Sequence, residues 1–148
     1  MNNLRLIISF LALSILFSCA SNQKNNYITS DSISISEFSS SVEMLISNPN
    51  FLEDEILKIN AKNPSVQRIL VNSDVYLKEG KLIQANSELE RALRITKEEG
   101  AIYLRLAHLR LIQGLLSESK SFASRALLIK EISSWERLLL NVYLKLSI

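Results

Sequence analysis

Apolar residues recur at helical spacing from residue 37 to the end of the chain. They return every three or four positions, which is the pattern of a helix that buries one face. Turn-forming residues separate these stretches, and they are Asn48-Pro49, Asn63-Pro64, Gly80 and Gly114. The pattern predicts seven helices and no strand, and therefore an all-α fold.

The first two predicted helices form an N-terminal pair within residues 37–63. The first carries an apolar stripe, and the second begins at Asn50, where Glu53 completes a capping box. The run from Glu53 to Glu55 is either a favourable charge cluster in the first turn of a helix or an acidic docking site. The apolar positions of the pair are Phe38, Val42, Leu45, Ile46, Leu52, Ile56 and Ile59.

The second half of the chain, residues 64–148, repeats itself at an offset of 34 residues. Gly80 and Gly114 coincide where a first helix must stop, in a left-handed conformation that Gly adopts at no steric cost. Small residues also coincide, which predicts close contacts between helices. These small pairs are Ser73 with Ala107, Ala85 with Ser119, and Ala92 with Ala126, and larger matches include Leu70 with Leu104, Leu77 with Leu111 and Ile95 with Ile129.

The repeated positions resemble the tetratricopeptide repeat (TPR) family, whose period is 34 residues. The resemblance covers residues 64–130 and implies a short α-solenoid of helical hairpins, a TPR-like array that occupies residues 64–148. It departs from the family at Arg110, where a large apolar residue is usual, and neither unit ends in the common Pro. The residues that carry it are Ile69, Ser73, Tyr76, Gly80, Leu82, Ala85, Leu89, Ala92 and Leu93, then Tyr103, Leu106, Ala107, Gly114, Leu116, Ser119, Ala123, Ala126 and Leu127.

A C-terminal capping helix follows the two units and begins with a capping box of Ser133 and Glu136. One face of this helix is expected to pack on the preceding unit, through Trp135, Leu138, Leu139, Val142 and Leu146. Leu140 and Leu144 lie on the opposite side, with Tyr143 beside them. We expect these residues to contact a partner protein or a second copy of the chain, unless the N-terminal helices fold back over them.

The TPR resemblance also implies a concave groove that binds protein. Its predicted lining is mostly apolar and consists of Leu70, Asp74, Leu77, Leu104, His108, Ile112, Leu140 and Leu144. The groove lacks the Lys, Asn and Arg residues with which some TPR domains hold a C-terminal carboxylate. An amphipathic helix or an apolar peptide is therefore the expected ligand. Alternatively, the protein's own N-terminal helix pair fills or caps this surface.

Residues 1–18 have the size and flanks of a secretory signal peptide, and their apolar run is too short to cross a bilayer. The run ends in Leu16-Phe17-Ser18-Cys19, which resembles a bacterial lipoprotein signal, although Phe17 is bulkier than usual. The resemblance implies lipidation of Cys19, followed by a flexible tether over residues 19–36. Ala20 stands where an Asp commonly retains such proteins at the inner membrane, so the outer membrane is expected. The alternative is a free Cys behind an ordinary signal peptide.

Charge and cysteine content narrow the possible functions. The 17 basic residues are scattered among 15 acidic ones, whereas a nucleic-acid site needs a clustered basic stripe. One Cys and one His cannot form an internal disulfide or a four-ligand zinc site. His108 is the single candidate base at neutral pH, and the repeat register brings no Ser or Cys nucleophile beside it. We therefore expect no catalytic residue, cofactor, metal or small-molecule substrate.

These features together predict a non-enzymatic adaptor that is anchored by Cys19 and faces the periplasm. Its partner would be another cell-envelope protein, and the adaptor would serve as an assembly or scaffold factor. The alternative is a purely structural lipoprotein whose array serves self-association.

Overall fold

The computed structural model describes residues 35–146, and everything predicted for residues 1–34, including lipidation of Cys19, lies outside them. Seven helices and no strand occur in the described range, so the predicted all-α class is confirmed there. In chain order the helices are α1 (Ile35–Ser47), α2 (Pro49–Leu57), α3 (Pro64–Lys78), α4 (Leu82–Ile95), α5 (Gly100–Ile112), α6 (Leu116–Ala126) and α7 (Ser134–Leu146).

Short polar side chains set three of the helix starts. Asn63 precedes Pro64 and its side chain accepts a hydrogen bond from the backbone N–H of Ser65 at 2.9 Å. At α7 the predicted capping box is confirmed, because Ser133 Oγ accepts from the Glu136 N–H at 3.1 Å and the Glu136 carboxylate accepts from the Ser133 N–H at 2.8 Å. The predicted start of α2 at Asn50 is wrong. Asn48 is the N-cap, because Pro49 has the fixed φ of a first helical residue and no N–H to satisfy.

Gly80 and Gly114 end the first helix of each repeat in the left-handed region, at φ of 70° and 74°. A Cβ added at either position would meet no atom within 4 Å, so the backbone conformation alone requires Gly. Two helical hairpins result, α3 with α4 and α5 with α6. The two helices of each hairpin pack tightly against each other. The structure thus confirms the turn positions that the 34-residue offset predicted.

A buried Ser hydroxyl joins the two helices of each unit at the same repeat position. Ser73 on α3 donates to the carbonyl oxygen of Ala85 on α4 at 3.4 Å. One repeat later Ser119 on α6 donates to the carbonyl oxygen of Ala107 on α5 at 2.8 Å. All four residues are fully buried, so the helices approach as closely as the small side chains allow. The Ser and the Ala have exchanged helices between the units, but the contact is the same.

Helix α5 lies at the centre of the molecule, with every residue from Gly100 to Leu109 buried. It contacts α4, α6, α7 and α2. Helix α7 packs on α6 and α5 and, on another side, against α1 from the start of the described chain. Val42 and Leu45 of α1 therefore share one apolar cluster with Leu140 and Tyr143 of α7.

Within residues 35–146, no helix combines the length and apolar character that a membrane-spanning segment needs.

Candidate functional site

The residues predicted to line a concave groove lie mostly in the protein interior. Leu70, Leu104 and Leu140 are fully buried, Leu77 is nearly so, and Leu144 is half-buried against the same cluster as Leu140. Ile112 alone among the apolar members is exposed. These side chains therefore do not form an open apolar channel in the described structure.

The expectation of an exposed surface at Leu140 and Tyr143 is wrong, because the N-terminal helix pair covers it. Helix α1 packs on α7, and α2 packs on α5. Leu52 and Ile56 of α2 are buried in one cluster with Leu104 and Leu140. Of the two alternatives that the sequence left open, the structure shows the one in which the chain covers its own apolar surface.

His108 is held between α2 and α7. Its Nδ1 atom lies 2.9 Å from the hydroxyl oxygen of Tyr143, and its Nε2 atom lies 4.0 Å from a carboxylate oxygen of Glu53. Burial lowers the pKa of His108 to about 4 and raises the pKa of Tyr143 well above its usual value. The imidazole is therefore neutral at pH 7, and its ring orientation is fixed by Tyr143.

Asp74, the second polar member of the predicted groove, forms an ion pair with Arg105. Arg105 Nε lies 2.6 Å from one carboxylate oxygen of Asp74, and Nη2 lies 2.8 Å from the other. The Arg105 side chain is fully buried in the middle of α5, whereas Asp74 keeps 16% of its side chain exposed. The guanidinium and the carboxylate thus form a bidentate ion pair, which links α3 to α5.

Arg105 also binds the segment that connects α2 to α3. Its Nη1 atom donates to the carbonyl oxygen of Ile59 at 3.0 Å, and Nη2 lies 3.4 Å from the carbonyl oxygen of Leu57 at the end of α2. Nη1 also donates to the carbonyl oxygen of Ala101, one turn earlier on α5, at 3.2 Å. Beside it, the carboxylate of Glu99 accepts from the backbone N–H groups of residues 62 and 63, at 3.0 and 2.9 Å. Arg105 and Glu99 together hold the α2–α3 connection onto the N-terminal half of α5.

The sequence analysis predicts neither the contacts of Arg105 nor those of Glu99. The pattern of charges around Arg105 nevertheless indicates a buried ion pair. Arg105 is the one charged residue in the run from Ala101 to Leu109, and Asp74 is the one acidic residue of α3. A lone charge in an apolar helix implies a buried partner of opposite charge, because an unpaired buried charge is costly.

The first repeat unit carries two exposed valines next to a cavity. Val71 and Val75, adjacent on α3, are 50% and 49% exposed. Beside them a cavity of about 430 Å³ lies between α3 and α4. Its lining combines two guanidinium groups with other polar and apolar side chains, and consists of Ser65, Arg68, Ile69, Asn72, Arg91 and Ile95.

Metal-binding geometry is lacking in the described part of the chain, where no three His, Cys, Asp or Glu side chains converge. A scan against models of known protein families gave no match, and searches of curated proteins and of solved structures gave no significant match.

Proposed function

We propose that this protein is a non-enzymatic adaptor built on a short TPR-like array, which binds another protein of the bacterial cell envelope. The observation that carries the proposal is the repetition of one helical hairpin with the same buried contacts. The left-handed Gly and the Ser–carbonyl bond between the paired helices recur at the 34-residue offset. Stacked hairpins of this kind present extended surfaces on which other proteins bind.

Membrane anchoring through Cys19 is the second part of the proposal. Its support is the lipoprotein-like run from Leu16 to Cys19, which precedes the described residues. A thioether-linked diacylglycerol together with an N-acyl chain would give stable anchoring, since each buried methylene contributes about 0.8 kcal/mol. With Ala20 after the Cys, we place the adaptor on the periplasmic face of the outer membrane.

The surroundings of His108 favour a structural role for this residue over a catalytic one. Its Nδ1 atom is engaged by Tyr143, its pKa of about 4 keeps it neutral, and the side chain is largely buried. A general base must reach the proton of a bound substrate. His108 does not line the cavity between α3 and α4.

The anchor is tested by expressing the full chain and its Cys19→Ser variant in a bacterial host. We expect the wild type in the outer-membrane fraction, with a mass increase for the lipid. The variant should be found in the soluble periplasmic fraction or as an unprocessed precursor. A variant that is processed and still bound to the membrane contradicts the proposed anchor.

The adaptor role is tested by chemical crosslinking of the full chain in intact cells of its natural host. A discrete crosslinked species that contains a second, different envelope protein is the expected result. Crosslinks between copies of this chain alone would instead indicate the structural, self-associating lipoprotein.

A further inference from the structure

Comparison of the two repeat units shows that one face of α3 is exposed where the equivalent face of α5 is buried. Arg68, Val71, Asn72 and Val75 share one face of this helix, because they are spaced at i, i+3, i+4 and i+7. Their counterparts 34 residues later on α5 are Ile102, Arg105, Leu106 and Leu109, and all four are buried. On α3 the four residues are exposed.

The occupant of the equivalent face in the second unit is a helix. Ile102, Leu106 and Leu109 of α5 share an apolar cluster with Leu89 and Ala92 of α4, the last helix of the preceding unit. Helix α7 is covered in the same way, since it packs on α6. The helices that precede α3, α1 and α2, pack on α7 and α5 instead, so within the described residues no helix covers this face of α3.

The chemistry of the open face differs from that of the buried ones. Arg68 and Asn72 stand where α5 has Ile102 and Leu106, and Val71 stands where α5 has Arg105. Val71 and Val75 form an apolar strip between the polar positions. Among the described residues the side chains of Arg68, Asn72 and Ser65 make no hydrogen bond or ion pair, and Arg91 contacts one carboxylate oxygen of Glu88 at 3.3 Å. Two guanidinium groups thus line the cavity, and among the described residues the ion pair with Glu88 is the one that either of them makes.

We infer that this face of α3, with the adjoining cavity, binds an acidic amphipathic helix of a partner protein. The apolar side of that helix packs on Val71 and Val75, and its carboxylates pair with Arg68 and Arg91. Arg binds carboxylates at two points and covers apolar surface with its stem, so it suits this mixed surface. The inference rests on the proposed adaptor function and names the chemistry of the partner.

The test uses the full chain in detergent micelles and a synthetic fluorescent peptide as the probe. The peptide is helical, with a Leu/Ala face flanked by Glu residues, and its counterpart carries Gln in place of every Glu. By fluorescence anisotropy we expect the Glu peptide to bind at least about tenfold more tightly than the Gln peptide, because the charge pairs are lost in the latter. Arg68→Glu and Val71→Ser should each weaken binding of the Glu peptide about tenfold.

Lys130→Glu provides the matched control, since Lys130 is exposed and lies at the α6–α7 connection. All three substituted residues are exposed, so the variants should keep the wild-type circular dichroism spectrum. Equal binding of the two peptides, or binding that Arg68→Glu leaves unchanged, overturns the inference. So does a dimer in sedimentation that Arg68→Glu dissociates, because the occupant would then be a second copy of the chain.

Failure of this inference is distinguishable from failure of the adaptor function. If the peptide does not bind but a different envelope protein is still crosslinked in cells, the adaptor uses another surface. If neither result is obtained, both proposals are wrong.

Discussion

At the scale of single residues, the Asp74–Arg105 pair links α3, α5 and the connection between α2 and α3. The guanidinium joins α3 to α5 and also binds the carbonyl oxygens of the α2–α3 connection. Removing one member of a buried pair leaves an uncompensated charge and is strongly destabilising, whereas replacing both by apolar residues of similar volume is often tolerated.

We therefore expect Asp74→Leu to lower the free energy of unfolding by about 3 kcal/mol. Asp74→Leu combined with Arg105→Met should recover most of that loss, since no buried charge remains. Glu88→Gln is the control, because it breaks the exposed contact with Arg91 and should cost less than about 1 kcal/mol. Urea unfolding at pH 7 measures all three. If the double variant is less stable than Asp74→Leu, the carbonyl contacts of Arg105 dominate over its ion pair.

His108 makes stability depend on pH in a defined direction. Burial lowers its pKa from 6.5 to about 4, so between these values the unfolded chain binds a proton that the folded chain does not. The contribution of neutral His108 is fully present above pH 6.5 and is lost as the pH falls towards 4. Between pH 6.5 and 5 we expect a loss of about 2 kcal/mol that a His108→Gln variant does not show, measured by urea unfolding. Parallel curves for the two proteins would mean that folding does not lower the pKa of His108.

At the scale of helices, α1 packs against α7 from the opposite end of the described chain. By its position α7 corresponds to the first helix of a third hairpin. In an array of hairpins a second helix would pack beside it, but α7 is the last helix of the described residues. Helix α1 covers its free side instead, through the fully buried Leu45 and Val42. The N-terminal helix thus shields an apolar face that would otherwise promote association.

Leu45→Glu tests this role of α1. Introducing a carboxylate into the cluster should lower the free energy of unfolding by about 3 kcal/mol or detach α1, because the charge has no partner there. Met44→Glu is the matched control: Met44 is the neighbouring residue, is 53% exposed, and should change stability by less than about 0.5 kcal/mol. Fluorescence of Trp135, which packs on the same cluster, reports both unfolding and detachment. Equal stability of the two variants would show that α1 does not cover α7.

At the scale of the whole molecule, the sequence predicts features that depend on nearby residues and fails where distant segments meet. The 34-residue offset located both left-handed glycines, and Ser133 with Glu136 located the start of α7, since these signals are local. The covering of Leu140 by α1 was left open, because apolar periodicity shows that a face is buried but not what buries it. Arg110 departs from the TPR pattern, and its guanidinium lies 5.8 Å from the ring centroid of Phe122 on the next helix, a contact that helical spacing does not predict.

The same limit applies to the candidate site. The sequence placed Asp74 and His108 on one groove surface, and the structure gives each of them an intramolecular partner instead. Those partners lie on other helices and could not be derived from helical spacing.

The contact between α1 and α7 changes how the chain can fold. A row of hairpins that touch only their neighbours can fold from any point and propagate. Here two ends of the described chain must meet, which adds the entropy of closing a long loop before the last apolar surface is covered. Because α1 is made long before α7, its apolar face cannot be buried against α7 until the later helix is present. The contact thereby couples the two ends of the described chain into one cooperative unit, which is complete only when α7 is present.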